Sequence, residues 1–189
     1  MSSFASDAGL AGDTGLTGDL RVMPDEGAFE AARRASFAVS LHNEDGFAGM
    51  RKAGRLAAEV LDLMVPLVQP GVTTAELDKV AYQYIVDHGA IPACLGYRGY
   101  RNTLCTSINH VVCHGIPNDK PLRDGDIINI DVTVIVDGWH GDTSRMYPVG
   151  AVKRKAMRLI DITYESMMRA IHIVKPGATT GDIGHTIQS

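Results

Sequence analysis

The chain has 189 residues, 45% of them hydrophobic and 21% charged, with a formal net charge of −4. That is enough chain for one packed core, and the acidic balance disfavours a protein that binds nucleic acid by neutralising phosphates. No apolar run approaches the ~18 residues that span a bilayer, and the N-terminus lacks the basic and apolar regions of a signal peptide; a cytoplasmic protein is expected.

Residues 1–30 stand apart. They hold six acids against one base, Arg21, and five glycines, with no sustained apolar period. Such a stretch cannot bury enough surface to offset its ordering entropy. A disordered acidic extension is expected over 1–45, within which 29–42 reads as a short helix, and a folded domain over 46–189.

Met50, Ala53, Leu56, Ala57, Val60, Leu61 and Met64 recur at three and four, the spacing of an amphipathic helix. Pro66 and Pro70-Gly71 end it. Thr73 or Thr74 then caps a second helix, with Glu76 in its first turn and Leu77, Val80, Ala81, Tyr84 and Ile85 on its apolar face. Gly89 closes it. The same punctuation returns downstream. Met157, Ile160, Tyr164, Met167, Met168 and Ile171 form another amphipathic stretch, and Val174–Thr180 repeats Val68–Thr74, with Pro70 and Pro176 106 residues apart. A duplicated unit is the better reading of this pair. The first unit continues for some 60 residues after its second helix, whereas the second stops at Ser189. An incomplete second unit is therefore expected, with an apolar helix face left uncovered.

The three cysteines, Cys94, Cys105 and Cys113, include no CxxC pair. They are expected as buried thiols rather than a disulfide framework or a structural zinc site. Cys94 to Tyr100 mixes glycines, tyrosines and a thiol, the composition of a loop that lines a small apolar pocket. His110 and His114 are four apart, but Val111-Val112 between them reads as strand rather than as a metal-binding helix.

The most informative segment is Asp126–Tyr147. Ile128, Ile130, Val132, Val134 and Val136 alternate with Asn129, Asp131 and Thr133, a strand with one dry and one polar face. Asp137-Gly138 signals a two-residue hairpin turn. That turn sets Thr133 opposite Asp142 and Asp131 opposite Ser144, with His140 on the same face. Asp131 and Asp142 become diagonal neighbours, their Cα atoms roughly 7–8 Å apart. Like charges so placed repel unless a cation neutralises them, and aspartate is depleted in strands, so a metal site with oxygen and nitrogen ligands is expected. Two carboxylates alone do not complete a catalytic dimetal centre.

Taken together, GRLAAEVLD, CLGYRGY, SINHVVCHGIP and DGDIINIDVTVIVDGWHGDTSRM resemble the bacterial type I methionine aminopeptidases, over about residues 46–189. The resemblance implies an α/β (α+β) pita-bread fold, here its first half plus the start of the second pseudo-repeat. It implies removal of the initiator methionine from nascent proteins, in the cytoplasm and near the ribosome, with no DNA or membrane partner. Two divalent ions of the cobalt, manganese, iron, zinc or nickel class are implied, acting as Lewis acids. By resemblance, Asp131 and Asp142 are metal ligands and His114 is catalytic and touches substrate. Cys94, Tyr97, Tyr100 and Cys105 line the methionine pocket, and the carbonyls of Asn109 and Val111 bind a monovalent cation. The family's remaining ligands, one His and two Glu, have no counterpart in this sequence. A chain cut short, inactive by itself or in need of a missing half, is therefore expected. The alternative is a non-catalytic binding module or gene remnant, which the intact Asp131, Asp142 and His114 argue against.

Overall fold

The computed structural model describes residues 40–189; the expectations for the acidic extension and for most of the short helix at 29–42 lie outside the described residues. Helix α1 runs Glu44–Met64 and α2 runs Thr74–Asp87. A two-residue strand β1 (Ile91–Pro92) precedes β2 (Leu104–Ile108), and β3 (Ile127–Val136) and β4 (Trp139–Pro148) form the long hairpin. Helices α3 (Arg154–His172) and α4 (Thr180–Gln188) follow.

The Asn43 side chain caps α1 by accepting from Gly46 N at 3.2 Å. Ala53, Leu56, Ala57, Val60, Leu61 and Met64 are buried along one stripe, as the spacing predicts. Met50 is a correction: it lies near the start of α1 and is 48% exposed. Helix α2 begins with a full capping box, in which Glu76 N donates to Thr73 Oγ1 and Thr73 N donates to a Glu76 oxygen at 2.8 Å. Its inward face carries Leu77, Ala81 and Ile85, but also Thr74 and Asp78. Val80, expected on that face, is turned to solvent, and Tyr84 is half-buried.

The sheet is antiparallel throughout. The β3–β4 register is the one the Asp-Gly turn predicts, Thr133 opposite Asp142 and Asp131 opposite Ser144. Both turn residues take positive φ, 50° at Asp137 and 83° at Gly138, as a type I′ turn requires. On its other edge β3 pairs with β1 at Ile135 and Val134, then with β2 from Val132 to Ile128. So β1 and β2 are one interrupted strand, and residues 93–103 loop out between them.

Helix α1 lies across β3 and β4, and α2 lies against β1 and β2. Ile128, Ile130, Val132, Val134 and Val136 point into this core. The contact is close at Gly141, where a Cβ would collide with the α1 backbone at Ala53 and Gly54. At the C-terminal end of α1, the buried Tyr147 hydroxyl donates to Leu61 O at 2.6 Å.

Helices α3 and α4 pack on each other. Helix α4 opens with the same device as α2: Asp182 N donates to Thr179 Oγ1, and Thr179 N donates to an Asp182 oxygen at 2.8 Å. The two cap positions, Thr73 and Thr179, are again 106 residues apart, so the sequence repeat is also a structural one. Of the predicted apolar face of α3, Met157, Ile160 and Met168 are half-buried, whereas Tyr164, Met167 and Ile171 are exposed.

Candidate functional site

The polar face of the β3–β4 hairpin borders a cavity of about 590 Å³. Asp131, Thr133 and Asp142 form one wall. Cys94, Tyr97, Tyr100 and Cys105 form another, with His114 and Ile116 beside them. Both carboxylates, the histidine and all four pocket residues singled out in the sequence thus meet in one place.

Each wall has a traceable cause. The carboxylates are set by the hairpin register, and Gly141, pressed on α1, holds β4 immediately before Asp142. The thiol and tyrosine wall is the loop between β1 and β2, tightened by a 3₁₀ turn at Tyr97–Gly99, together with Cys105 at the start of β2. The loop re-enters the sheet on Asp78 of α2. One oxygen of that buried carboxylate accepts from Thr103 N at 2.9 Å and Leu104 N at 2.8 Å, and the other accepts from Asn102 Nδ2 at 3.1 Å. The Tyr100 hydroxyl then donates to Leu104 O at 2.7 Å.

His114 is placed by its neighbour. Gly115 lies so close to β2 that a Cβ would strike the Thr106 carbonyl. Its carbonyl accepts from Thr106 N at 2.7 Å, and its N–H donates to Ser107 Oγ at 3.1 Å. Asn118 fixes the far end of the segment through reciprocal backbone bonds with the Thr74 hydroxyl, which accepts from Asn118 N and donates to Asn118 O. The strand expected at Val111-Val112 is absent: Asn109 and His110 make a turn, and irregular chain follows to Gly115. Positive φ at Asn109 (53°) and His114 (57°) breaks any ladder there.

The electrostatics are those of an acidic, half-dry recess. Burial, and then the charge of Asp142, push the Asp131 carboxyl above its ordinary range, while His114 pulls the other way. Burial also raises the Cys94 and Cys105 thiols, and raises the Tyr100 phenol strongly. A cation near Asp131 and Asp142 relieves their repulsion, so the oxygen donors present fit a hard or borderline divalent ion. Among the described residues, no group of three or more His, Cys, Asp or Glu side chains is placed to hold one metal ion together.

Other expected residues fall elsewhere. His140 shares the face of Asp142, but it sits opposite Ile135 by the hairpin turn, is exposed and does not line the cavity. Asn109 and Val111 also lie off the cavity. The Asn109 side chain joins the start of β3, accepting from Ile127 N at 3.1 Å and donating to Asp126 Oδ1 at 2.8 Å. Cys113, expected buried, is exposed, Cys94 is half-buried, and only Cys105 is buried. Sequence reasoning misses Arg98, Thr133 and Ile116 in the lining, and Asp78, Gly115 and Gly141 behind it. Thr133 is within its reach, because the predicted register sets it directly against Asp142.

A carboxylate-bearing hairpin backed by two helices, followed by a second helix pair with the same cap, defines half of the pita-bread architecture of metal-dependent exopeptidases. The chain belongs to metallopeptidase family M24, whose model matches residues 48–189. Over 151 residues, 80% of this chain, it is 59% identical to a methionine aminopeptidase of Rickettsia prowazekii, and it is 54% identical over 153 residues to that of Escherichia coli K12. The crystal structure of the Rickettsia prowazekii methionine aminopeptidase superposes with a TM-score of 0.79 at 58% identity, covering 80% of this chain and 61% of that one. The chain spans 58% of the length of the two curated relatives. Among the described residues, no helix is long and apolar enough to cross a membrane.

Proposed function

We propose that this chain carries the metal-binding hairpin and the methionine pocket of a methionyl aminopeptidase, which removes the N-terminal methionine of nascent polypeptides. One observation carries the reading: an acidic wall and an apolar thiol–tyrosine wall share one cavity. In this reading Cys94, Tyr97, Tyr100 and Cys105 receive the unbranched thioether side chain, since soft sulfur and aromatic rings suit it. Asp131 and Asp142 hold divalent metal from the cobalt, manganese, iron, zinc or nickel class, and keep the substrate's amino end close to their negative charge. Bound metal supplies Lewis acidity toward the scissile carbonyl. His114, fixed by Gly115 beside the carboxylates, donates a hydrogen bond to the substrate peptide. The carbonyls of Asn109 and Val111, which accept no hydrogen bond among the described residues, hold a monovalent cation that stiffens the end of β2. Action on nascent chains near the ribosome, in the cytoplasm, belongs to the same proposal.

The test measures metal binding and methionine release separately. Calorimetric titration with manganese or cobalt is expected to give binding that Asp131→Ala and Asp142→Ala each abolish. Methionine release from a Met-Ala-Ser peptide is measured with the chain alone and with the chain mixed with the unmatched portion of the Rickettsia prowazekii enzyme. Any release is expected to require both aspartates. Metal binding or release that survives both substitutions would overturn the assignment.

A further inference from the structure

The two thiols in the cavity wall stand at the two ends of one loop. The chain leaves the edge of β3 at Ala93, whose N–H donates to Thr133 O at 2.9 Å. It rejoins the same edge at Leu104 and Cys105, opposite Val132 and Asp131. Cys94 directly follows the Ala93 anchor at Thr133 and turns away from the sheet, and Cys105 directly follows Leu104, which faces Val132. The excursion therefore starts and finishes at neighbouring positions of one strand, Thr133 and Val132. Both cysteines line the same cavity, Cys94 against Thr133 and Cys105 against Tyr100. Cys113 is exposed and outside that lining.

We propose that Cys94 and Cys105 are a dithiol that closes to a disulfide in the folded chain. A disulfide needs Cα atoms about 4.4–6.8 Å apart, and the two thiols each follow by one residue an anchor on neighbouring positions of β3 and line the same cavity. The chemistry balances with hydrogen peroxide as oxidant. One thiol sulfur takes an oxygen from the peroxide, breaking the O–O bond and releasing the first water as a sulfenic acid forms. The second thiol attacks that sulfur, the S–S bond forms, and the sulfenic oxygen leaves with a proton as the second water. Two thiols lose two electrons and one peroxide gains them. The bond ties the loop ends together beneath Tyr97 and Tyr100 and removes both thiols from the wall. Closure of the cavity to a methionine side chain then follows from the function proposed above, whereas the disulfide itself does not depend on that function.

Sequence distance argues the other way, which makes the test sharp. Cys105 is 8 residues from Cys113 but 11 from Cys94, so an unfolded chain closes the Cys105–Cys113 loop more readily. The full chain is treated with hydrogen peroxide, its remaining thiols are alkylated, and its peptides are mapped by mass spectrometry without reduction. The expected result is loss of two of the three free thiols, one intramolecular Cys94–Cys105 cross-link, an alkylated Cys113, and reversal by dithiothreitol. Cys113→Ser leaves the cross-link in place, and Cys94→Ser eliminates it. In guanidinium chloride the preference for Cys94 is lost. A native Cys105–Cys113 bond, cross-linking between chains through Cys113, over-oxidation without any cross-link, or the same product mixture in buffer and denaturant would each overturn the proposal.

Discussion

Replacing Asp78 by alanine removes the acceptor on which the wall loop re-enters the sheet. Thr103 N and Leu104 N both donate to one Asp78 oxygen, and these two residues are only 1% and 0% exposed. Water cannot take over bonds at that depth. Each orphaned buried donor costs about 1–3 kcal/mol, so Asp78→Ala is expected to destabilise the domain by about 2–6 kcal/mol, out of the ~5–15 kcal/mol typical of a domain. Asp78→Asn keeps an oxygen for Thr103 N and Leu104 N at the loss of their charge assistance, about 1 kcal/mol per bond and about 2 kcal/mol in all, while the bond from Asn102 Nδ2 is lost in both variants. The assay is urea unfolding followed by circular dichroism, reading the midpoint at constant slope. The larger loss belongs to alanine and the smaller to asparagine. The reasoning is refuted if Asp78→Ala unfolds within about 0.5 kcal/mol of the unsubstituted chain, the scatter of ordinary surface substitutions. It also fails if asparagine costs as much as alanine, because acceptor geometry would then not be what matters.

Gly115→Ala sets a methyl group against the Thr106 carbonyl and is expected to cost about 1–3 kcal/mol; it also displaces His114, read as a shift in that residue's imidazole NMR resonances. Tyr147→Phe leaves the Leu61 carbonyl without its hydroxyl donor, an expected loss of about 1–3 kcal/mol in the same urea assay. Burial pushes the Tyr147 phenol up to about 12 in the fold, against an ordinary value of about 10. The protonated form is therefore favoured by folding: its contribution is complete below pH ~10 and is lost as pH rises through about 12. Unfolding midpoints measured across that window should fall for the unsubstituted chain and fall less for Tyr147→Phe.

The hairpin is legible in the sequence because two local rules coincide there. Period-two alternation assigns faces, and an Asp-Gly loop leaves one register, so residue order alone makes Asp131 and Asp142 diagonal neighbours. The helices α1 and α2 are legible from their apolar stripes and from the Thr73 cap. What stays hidden depends on contacts between distant segments. Asp78 looks like any polar residue on a helix until Thr103 and Leu104 meet it, and Val80 looks like core until α2 is rotated to bring Asp78 inward. Gly115 and Gly141 are close-approach glycines whose partners lie eight or more residues away, so nothing nearby reveals them. The β1–β2 interruption is equally invisible, because Ile91-Pro92 is too short to give a period. His114 is found by its motif, but its irregular backbone is not, since Val111-Val112 carries a strand propensity that the turn at Asn109 overrides.

Because β1 and β2 occupy the same edge of β3, the segment between them is anchored twice to one strand and touches the sheet's register nowhere else. Its length can change cheaply, since doubling a flexible loop costs only about 0.6 kcal/mol of closure entropy. Cys94, Tyr97 and Tyr100 of the cavity wall therefore form a replaceable cassette, while Cys105 stays on β2 and Asp131 and Asp142 stay on the hairpin. An altered loop grafted between Ala93 and Leu104 would retarget the recess toward a different side chain without refolding the scaffold that carries the carboxylates.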